Sequence, residues 1–192
     1  MKIDEAEETI RALLPEKRFR HSVGVSETAG RLAEKYGGDV KKARLAGMLH
    51  DIAKYFPDDQ LAAVIRRRRD IPDNFLEFSD KLWHAPVGAV YAEEKLGITD
   101  REILDAMTFH TTGRKKMTLL DKIIFLADYI EPGRDFPGVD EVRKAAESDL
   151  DEAVYQELQR TIMHLLEKRK SVYPETFEAY NNLINQINEV TG

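Results

Sequence analysis

The sequence predicts an all-α protein built as one domain of about nine to ten helices. Three observations carry this. Apolar residues recur at helical spacing in one window after another. Gly and Pro fall between those windows, where helices stop and start. No stretch shows the strict alternation of a half-buried strand, and no glycine-rich phosphate loop or internal repeat interrupts the pattern. A chain of 192 residues suffices for one domain with a sizeable core and leaves little room for a second.

The elements follow in order. Residues 3–14 place Ile3, Ala6, Ile10 and Leu13 on one face and stop before Pro15. Pro15 opens a second helix that carries His21, Val25, Ala29 and Leu32 and ends at Gly37-Gly38. Asp39 caps a third, whose apolar face includes Ala43, Ala46, Gly47 and His50 and which is expected to reach Tyr55 or Phe56, just before Pro57. Residues 58–70 form a fourth, and the run Arg66-Arg67-Arg68-Arg69 reads as its solvated end. Residues 71–80 are a connector, and its Phe75 and Phe78, like Trp83 after it, are open to core or interface. A helix over 81–96 carries His84, and another, capped by Thr99, carries His110 and closes at Thr111-Thr112-Gly113. Thr118 starts the helix bearing Asp121 and Asp128, which breaks at Glu131-Pro132-Gly133. A long helix or helix pair over 139–170 and a last helix over 175–190 complete the chain, packing on a core whose motifs lie within 16–138.

Composition excludes several function classes. With no cysteine, disulfides, thiolate metal sites and cysteine nucleophiles are ruled out. A net charge of -6 gives no reason to expect nucleic-acid binding. No run is long and apolar enough for a membrane span, and the acidic N-terminus is no signal peptide, so a cytoplasmic location is expected. The oligomeric expectation is a monomer or homodimer.

Chemistry concentrates at Leu49-His50-Asp51-Ile52-Ala53-Lys54, where an imidazole, a carboxylate and an amine share an otherwise apolar stretch. Burying Asp51 there is costly without a partner of opposite charge. Four of the five histidines, His21, His50, His84 and His110, lie on apolar sides of separate predicted helices, as do Asp51 and Asp128. One buried histidine is unremarked core; this many ligating groups on apolar faces need a common partner, and a metal ion supplies it. His164 has no such companions and is read as structural.

The order His21, His50-Asp51, His84, His110, Asp128 resembles the signature of HD-domain metal-dependent phosphohydrolases of the two-metal kind. Five blocks sharpen the likeness to the bacterial YqeK-type group: 17–25, 49–54, His84-Ala85-Pro86-Val87-Gly88-Ala89, His110-Thr111-Thr112-Gly113, and 120–132 followed by Arg134-Asp135-Phe136. The resemblance implies an HD-domain helical bundle around a dinuclear centre that hydrolyses diadenosine tetraphosphate symmetrically, to two ADP, with a metal-activated water. His21, His50, Asp51 and Asp128 would hold one ion, and His84 and His110 the other, with Asp51 as bridge. An all-nitrogen-and-oxygen ligand set suits two divalent or mixed-valence ions, iron first, then manganese or cobalt. Asp51 and Lys54 would be catalytic, and Arg18, Lys54, Thr112, Gly113 and Arg134 would bind the nucleotide substrate. Asp121 is expected to orient a histidine or lysine from behind. The alternatives are an HD phosphohydrolase acting on a mono-, tri-, cyclic or alarmone nucleotide, a non-catalytic nucleotide-binding regulatory module, or a structural metal site.

Overall fold

In the computed structural model, which describes residues 1–191, ten α-helices and two short 3-10 turns are arranged about one of their number, an apolar helix. That helix, α7 (Leu119–Ile130), buries Leu120, Ile123, Ile124, Phe125, Leu126, Ala127 and Ile130, so it is apolar nearly all round and has to sit in the middle. Against it pack α2 (Glu16–Tyr36), α3 (Val40–Leu49), α6 (Arg101–Phe109) and α9 (Leu150–Glu167). The remaining helices are α1 (Ile3–Leu13), α4 (Asp58–Arg67), α5 (His84–Leu96), α8 (Val139–Ala145) and α10 (Pro174–Thr191). No strand occurs among the described residues, and no helix is long and apolar enough to cross a membrane.

The pair α2 and α3 approaches closely because small residues line the seam. A Cβ on Gly47 would lie 3.0 Å from the Ser26 Cα and 3.1 Å from its nitrogen, so only glycine lets the backbones meet there. The Ser26 hydroxyl also donates to the Arg44 carbonyl at 2.8 Å. Asp39 caps α3 by accepting from the Lys41 and Lys42 amides, as the sequence leads one to expect.

Several boundaries differ from the sequence reading, each for a physical reason. The third helix stops at Leu49 and does not continue to Tyr55; beyond it the chain makes three tight turns closed by Ile52 N to Leu49 O, Lys54 N to Asp51 O and Phe56 N to Ala53 O. The His50 ring donates to the Gly47 carbonyl and so stands in for the next rung of the ladder. Helix α5 begins at His84, not Lys81, because Pro86 is tolerated only in a helix's first turn. Asp100, not Thr99, caps α6. Over 139–170 the expected choice between one long helix and a pair falls to the pair, since Asp149 takes an extended conformation and caps α9.

The segment 57–83 forms a second, smaller apolar cluster with α5 and Tyr173. Phe75 is buried in this cluster and Phe78 half-buried, each meeting the Tyr173 ring edge-on at 5.0 Å, and half-buried Trp83 packs against the same cluster. In the arginine run Arg66, Arg67 and Arg69 are exposed, as a solvated helix end should be, while Arg67 pairs with Glu94 at 3.0 Å and Arg68 with Asp70 and Glu93. The run tethers the end of α4 to α5.

Gly47→Ala is expected to destabilise the fold by about 1–3 kcal/mol through forced separation of α2 and α3. A thermal melt should show a drop of a few degrees to roughly ten; an unchanged Tm contradicts the close seam.

Candidate metal centre

Three helix C-termini point at one spot. His50 is the C-cap residue of α3 and His110 that of α6, while Asp128 lies in the last turn of α7. Helix C-termini carry partial negative charge, so their convergence favours a cation between them. His21 reaches the same place from the second turn of α2, and His84 from the first residue of α5. Asp51 follows His50 in the first tight turn. All six predicted ligands therefore come together, although His50 and His110 do so from helix ends and not from helix faces.

The hydrogen bonds fix which nitrogen faces inward. A carbonyl only accepts, so His50 Nδ1 donates to the Gly47 carbonyl at 2.7 Å and His110 Nδ1 to the Met107 carbonyl at 2.7 Å. His21 Nδ1 lies 3.0 Å from Glu131 Oε1. In each neutral ring Nε2 then presents a lone pair. The Nε2 atoms of His21 and His50 are buried with no hydrogen-bond partner. His21 Nε2 is 3.0 Å from Asp128 Oδ1, and His84 Nε2 is 2.9 Å from Asp51 Oδ1 and 3.2 Å from His110 Nε2. Acceptors at such separations repel unless a proton or a cation lies between them. Two ligands about 2.1 Å from one ion and at right angles are about 3.0 Å apart, so the spacings fit metal coordination. Three overlapping groups qualify: His21, His50 and Asp51; His50, His110 and Asp128; and Asp51, His84 and His110.

The HD domain family profile matches residues 18–133. The chain belongs to the HD domain family. Among curated HD relatives, a Bacillus subtilis protein named "Bis(5'-nucleosyl)-tetraphosphatase, symmetrical" is 46% identical over 96% of this chain and 99% of its own length. A Halalkalibacterium halodurans protein of the same name is 48% identical, covering 89% of this chain and 91% of its own. A crystal structure from Clostridium acetobutylicum, described as a predicted HD superfamily hydrolase involved in NAD metabolism, superposes with a TM-score of 0.92 at 41% identity, over 97% of this chain and 98% of that one.

Within the HD centre the electrostatics call for positive charge. Burial raises the Asp51 carboxyl, yet His50 and His84 beside it hold it well below the usual range. Asp128 behaves likewise: burial is overcome by His21 and Arg134. Burial also opposes a charge on His50, but Asp51 and Asp128 raise it regardless. His110, by contrast, is pushed down to about 3 by burial and by its His50 and His84 neighbours, and stays neutral. Proton or metal, something cationic has to stand among these groups, and metal binding displaces the proton.

Three cations rim the cluster. Arg18 donates to Asp51 Oδ2 at 2.7 Å, Arg134 holds the Asp128 carboxylate and its carbonyl, and Lys54 Nζ sits 3.9 Å from Asp51 Oδ1 beside the His84 ring. Thr112 and Gly113 are not brought into this group as donors. The Thr112 hydroxyl is buried and donates to the Gly113 carbonyl at 2.9 Å; the Gly113 amide donates to the Phe109 carbonyl and caps α6. Asp121 does not back a ligand either. It closes the capping box with Thr118 and pairs with Arg114 at 2.8 Å. His164 is exposed on α9.

Glu131, which the sequence marks only as a helix end, holds the position behind a ligand that the sequence offers to Asp121. Its only sequence signal is its place just after the helix that carries Asp128. Arg143 was also missed; it donates to the carbonyls of Ile130, Glu131 and Arg134 and so fixes the loop that presents Glu131 and Arg134. Glu157, on α9, is buried with Oε2 unpartnered, and burial followed by the Asp128 charge pushes its carboxyl well above the usual range.

Two outcomes follow. Titrating a divalent ion into metal-free protein should raise Tm with concentration, and Asp51→Ala should abolish the rise; an equal rise in the variant contradicts the assigned centre. For Glu157, a folded pKa above the unfolded value near 4.5 means that the folded state retains the proton longer, so stability is lost as pH climbs through that interval. Glu157→Gln lacks this loss. In metal-free protein its Tm relative to wild type should rise as pH climbs above the unfolded carboxyl value of 4.5; a constant difference would show Glu157 ionising normally.

Proposed function

We propose that this HD protein hydrolyses diadenosine tetraphosphate at its centre, yielding two ADP, with a metal-activated water as nucleophile and the cytoplasmic nucleotide pool as its substrate source. The observation that carries the reading is the basic rim: Arg18, Lys54 and Arg134 stand around buried Asp51 and half-buried Asp128, where a polyphosphate would meet them. Symmetrical tetraphosphatases that match nearly the whole chain support the same substrate.

His21, His50, Asp51 and Asp128 would hold one ion and His84, His110 and Asp51 the second. The sulfur-free donor set favours iron, with manganese or cobalt as substitutes. When bound, the ions supply a water of lowered pKa and positive charge against the phosphate oxygens. The chain's own residues do the rest. Asp51 presents one oxygen to each side of the centre, since Oδ1 faces His84 and Oδ2 faces His50 and Arg18. Arg18 and Arg134 exchange carboxylate for phosphate oxygens, using the fork of a guanidinium to align the chain of phosphates. Burial pulls the Lys54 ammonium down from its ordinary value, against the raising effect of Asp51, which suits a group that stabilises or protonates a departing ADP oxygen. Thr112 and Gly113 serve by fixing the end of α6 beneath His110.

The test is product identification with elemental analysis of the same preparation. Wild-type protein should give ADP alone from diadenosine tetraphosphate, and the panel should include other nucleotides and dinucleotides such as NAD, given the description of the Clostridium structure. His50→Ala and Asp51→Ala should lose turnover together with metal. Lys54→Ala and Arg18→Ala should keep the metal and lose on the order of a hundredfold in kcat/KM. ATP plus AMP as products, or full activity without metal, would contradict the reading.

A further inference from the structure

Glu131 is 5% exposed and sits in a socket made by three residues. Its Oε1 faces His21 Nδ1 at 3.0 Å, and its Oε2 accepts from the Gly133 amide at 2.6 Å. On the remaining side lies Gly24, one turn after His21 on α2, where a Cβ would come within 2.7 Å of Oε2. Gly24 is thus the space that the carboxylate occupies. His50 and His110 donate Nδ1–H to neutral main-chain carbonyls, and the His84 ring has the Lys54 ammonium at 3.2 Å. His21 alone is backed by a carboxylate. A carboxylate accepting the Nδ1 proton makes the opposite nitrogen a stronger electron donor, whereas an ammonium beside a ring makes it a weaker one.

We infer that Glu131 is a positioning residue that makes the two metal positions unequal, the one at His21 binding more tightly than the one at His84 and His110. The inference rests on the metal reading of the cluster and is independent of the substrate. A carboxylate is required because two N–H donors converge on it. Glutamine has a single acceptor oxygen, so its NH2 would confront either His21 Nδ1–H or the Gly133 amide. The atom that Gly24→Ala would strike is the far end of the Glu131 side chain, so that variant displaces Glu131 while α2 stays in place.

The experiment is titration of metal-free protein with Mn2+, with free Mn2+ read by its EPR signal, which reports the number of sites and the Kd of each. Wild type should show a tight and a weaker site. Glu131→Gln should weaken the tight site by about 10–100-fold and leave the other unchanged, and Gly24→Ala should reproduce this shift, with thermal melts confirming that both are folded. In wild-type metal-free protein, 15N NMR should find His21 as the Nδ1–H tautomer. Two equal wild-type sites, a Glu131→Gln effect shared equally by both sites, or no effect in either folded variant overturns the inference, as does an Nε2–H tautomer for His21 should neither variant fold. A wild-type protein that binds no Mn2+ overturns the metal reading as well, which separates the two failures.

Discussion

Asp51 is 2% exposed, and its two oxygens face His84 at 2.9 Å on one side and Arg18 at 2.7 Å and His50 at 3.4 Å on the other. A carboxylate stripped of water and set among imidazole lone pairs has to be balanced by positive charge held close to it. The bundle is arranged to satisfy that requirement. The apolar surround of α7 excludes water, while the C-terminal ends of α3, α6 and α7 bring carbonyl-rich, electronegative termini to the same point. The Nδ1 anchors of His21, His50 and His110 turn their Nε2 atoms inward, toward the space between the two aspartates.

The rim follows from the same charge balance. Buried Asp51 and half-buried Asp128 draw Arg18, Arg134 and Lys54 to the mouth of the site; in the proposed reaction bound metal ions would take over that neutralisation and free these side chains for an anionic substrate. The loop after α7 is stiffened for this purpose. Arg143 ties its carbonyls together, and the Gly133 amide and His21 clamp Glu131 within it.

The helical architecture was legible in the sequence because its punctuation is unambiguous. Gly37, Pro57, Gly97 and Thr118 end or start helices where the pattern indicates. Four imidazoles and two carboxylates on apolar windows likewise announced the centre, since few other arrangements make them tolerable in a core. What could not be read was decided by tertiary contact. Periodicity carries the third helix to Tyr55, but the His50 side chain takes over the Gly47 carbonyl and ends it at Leu49. Asp121 and Glu131 look alike in sequence, as acids on or beside the α7 segment. Asp121 turned out to be committed to its own helix N-terminus and to Arg114, which left Glu131 behind His21. Thr112 and Gly113 followed the same logic: an N–H or hydroxyl next to a ligand is a donor to substrate only if the fold has not already used it.

The most direct test of the central claim is an anomalous difference map from crystals of the purified, metal-replete protein, collected at the absorption edge of the metal found in it. The account predicts two peaks flanking the Asp51 carboxylate, one among His21, His50 and Asp128 and the other beside His84 and His110. An empty map at that site, with His21 and His50 Nε2 instead protonated toward the aspartates in an active enzyme, would contradict it.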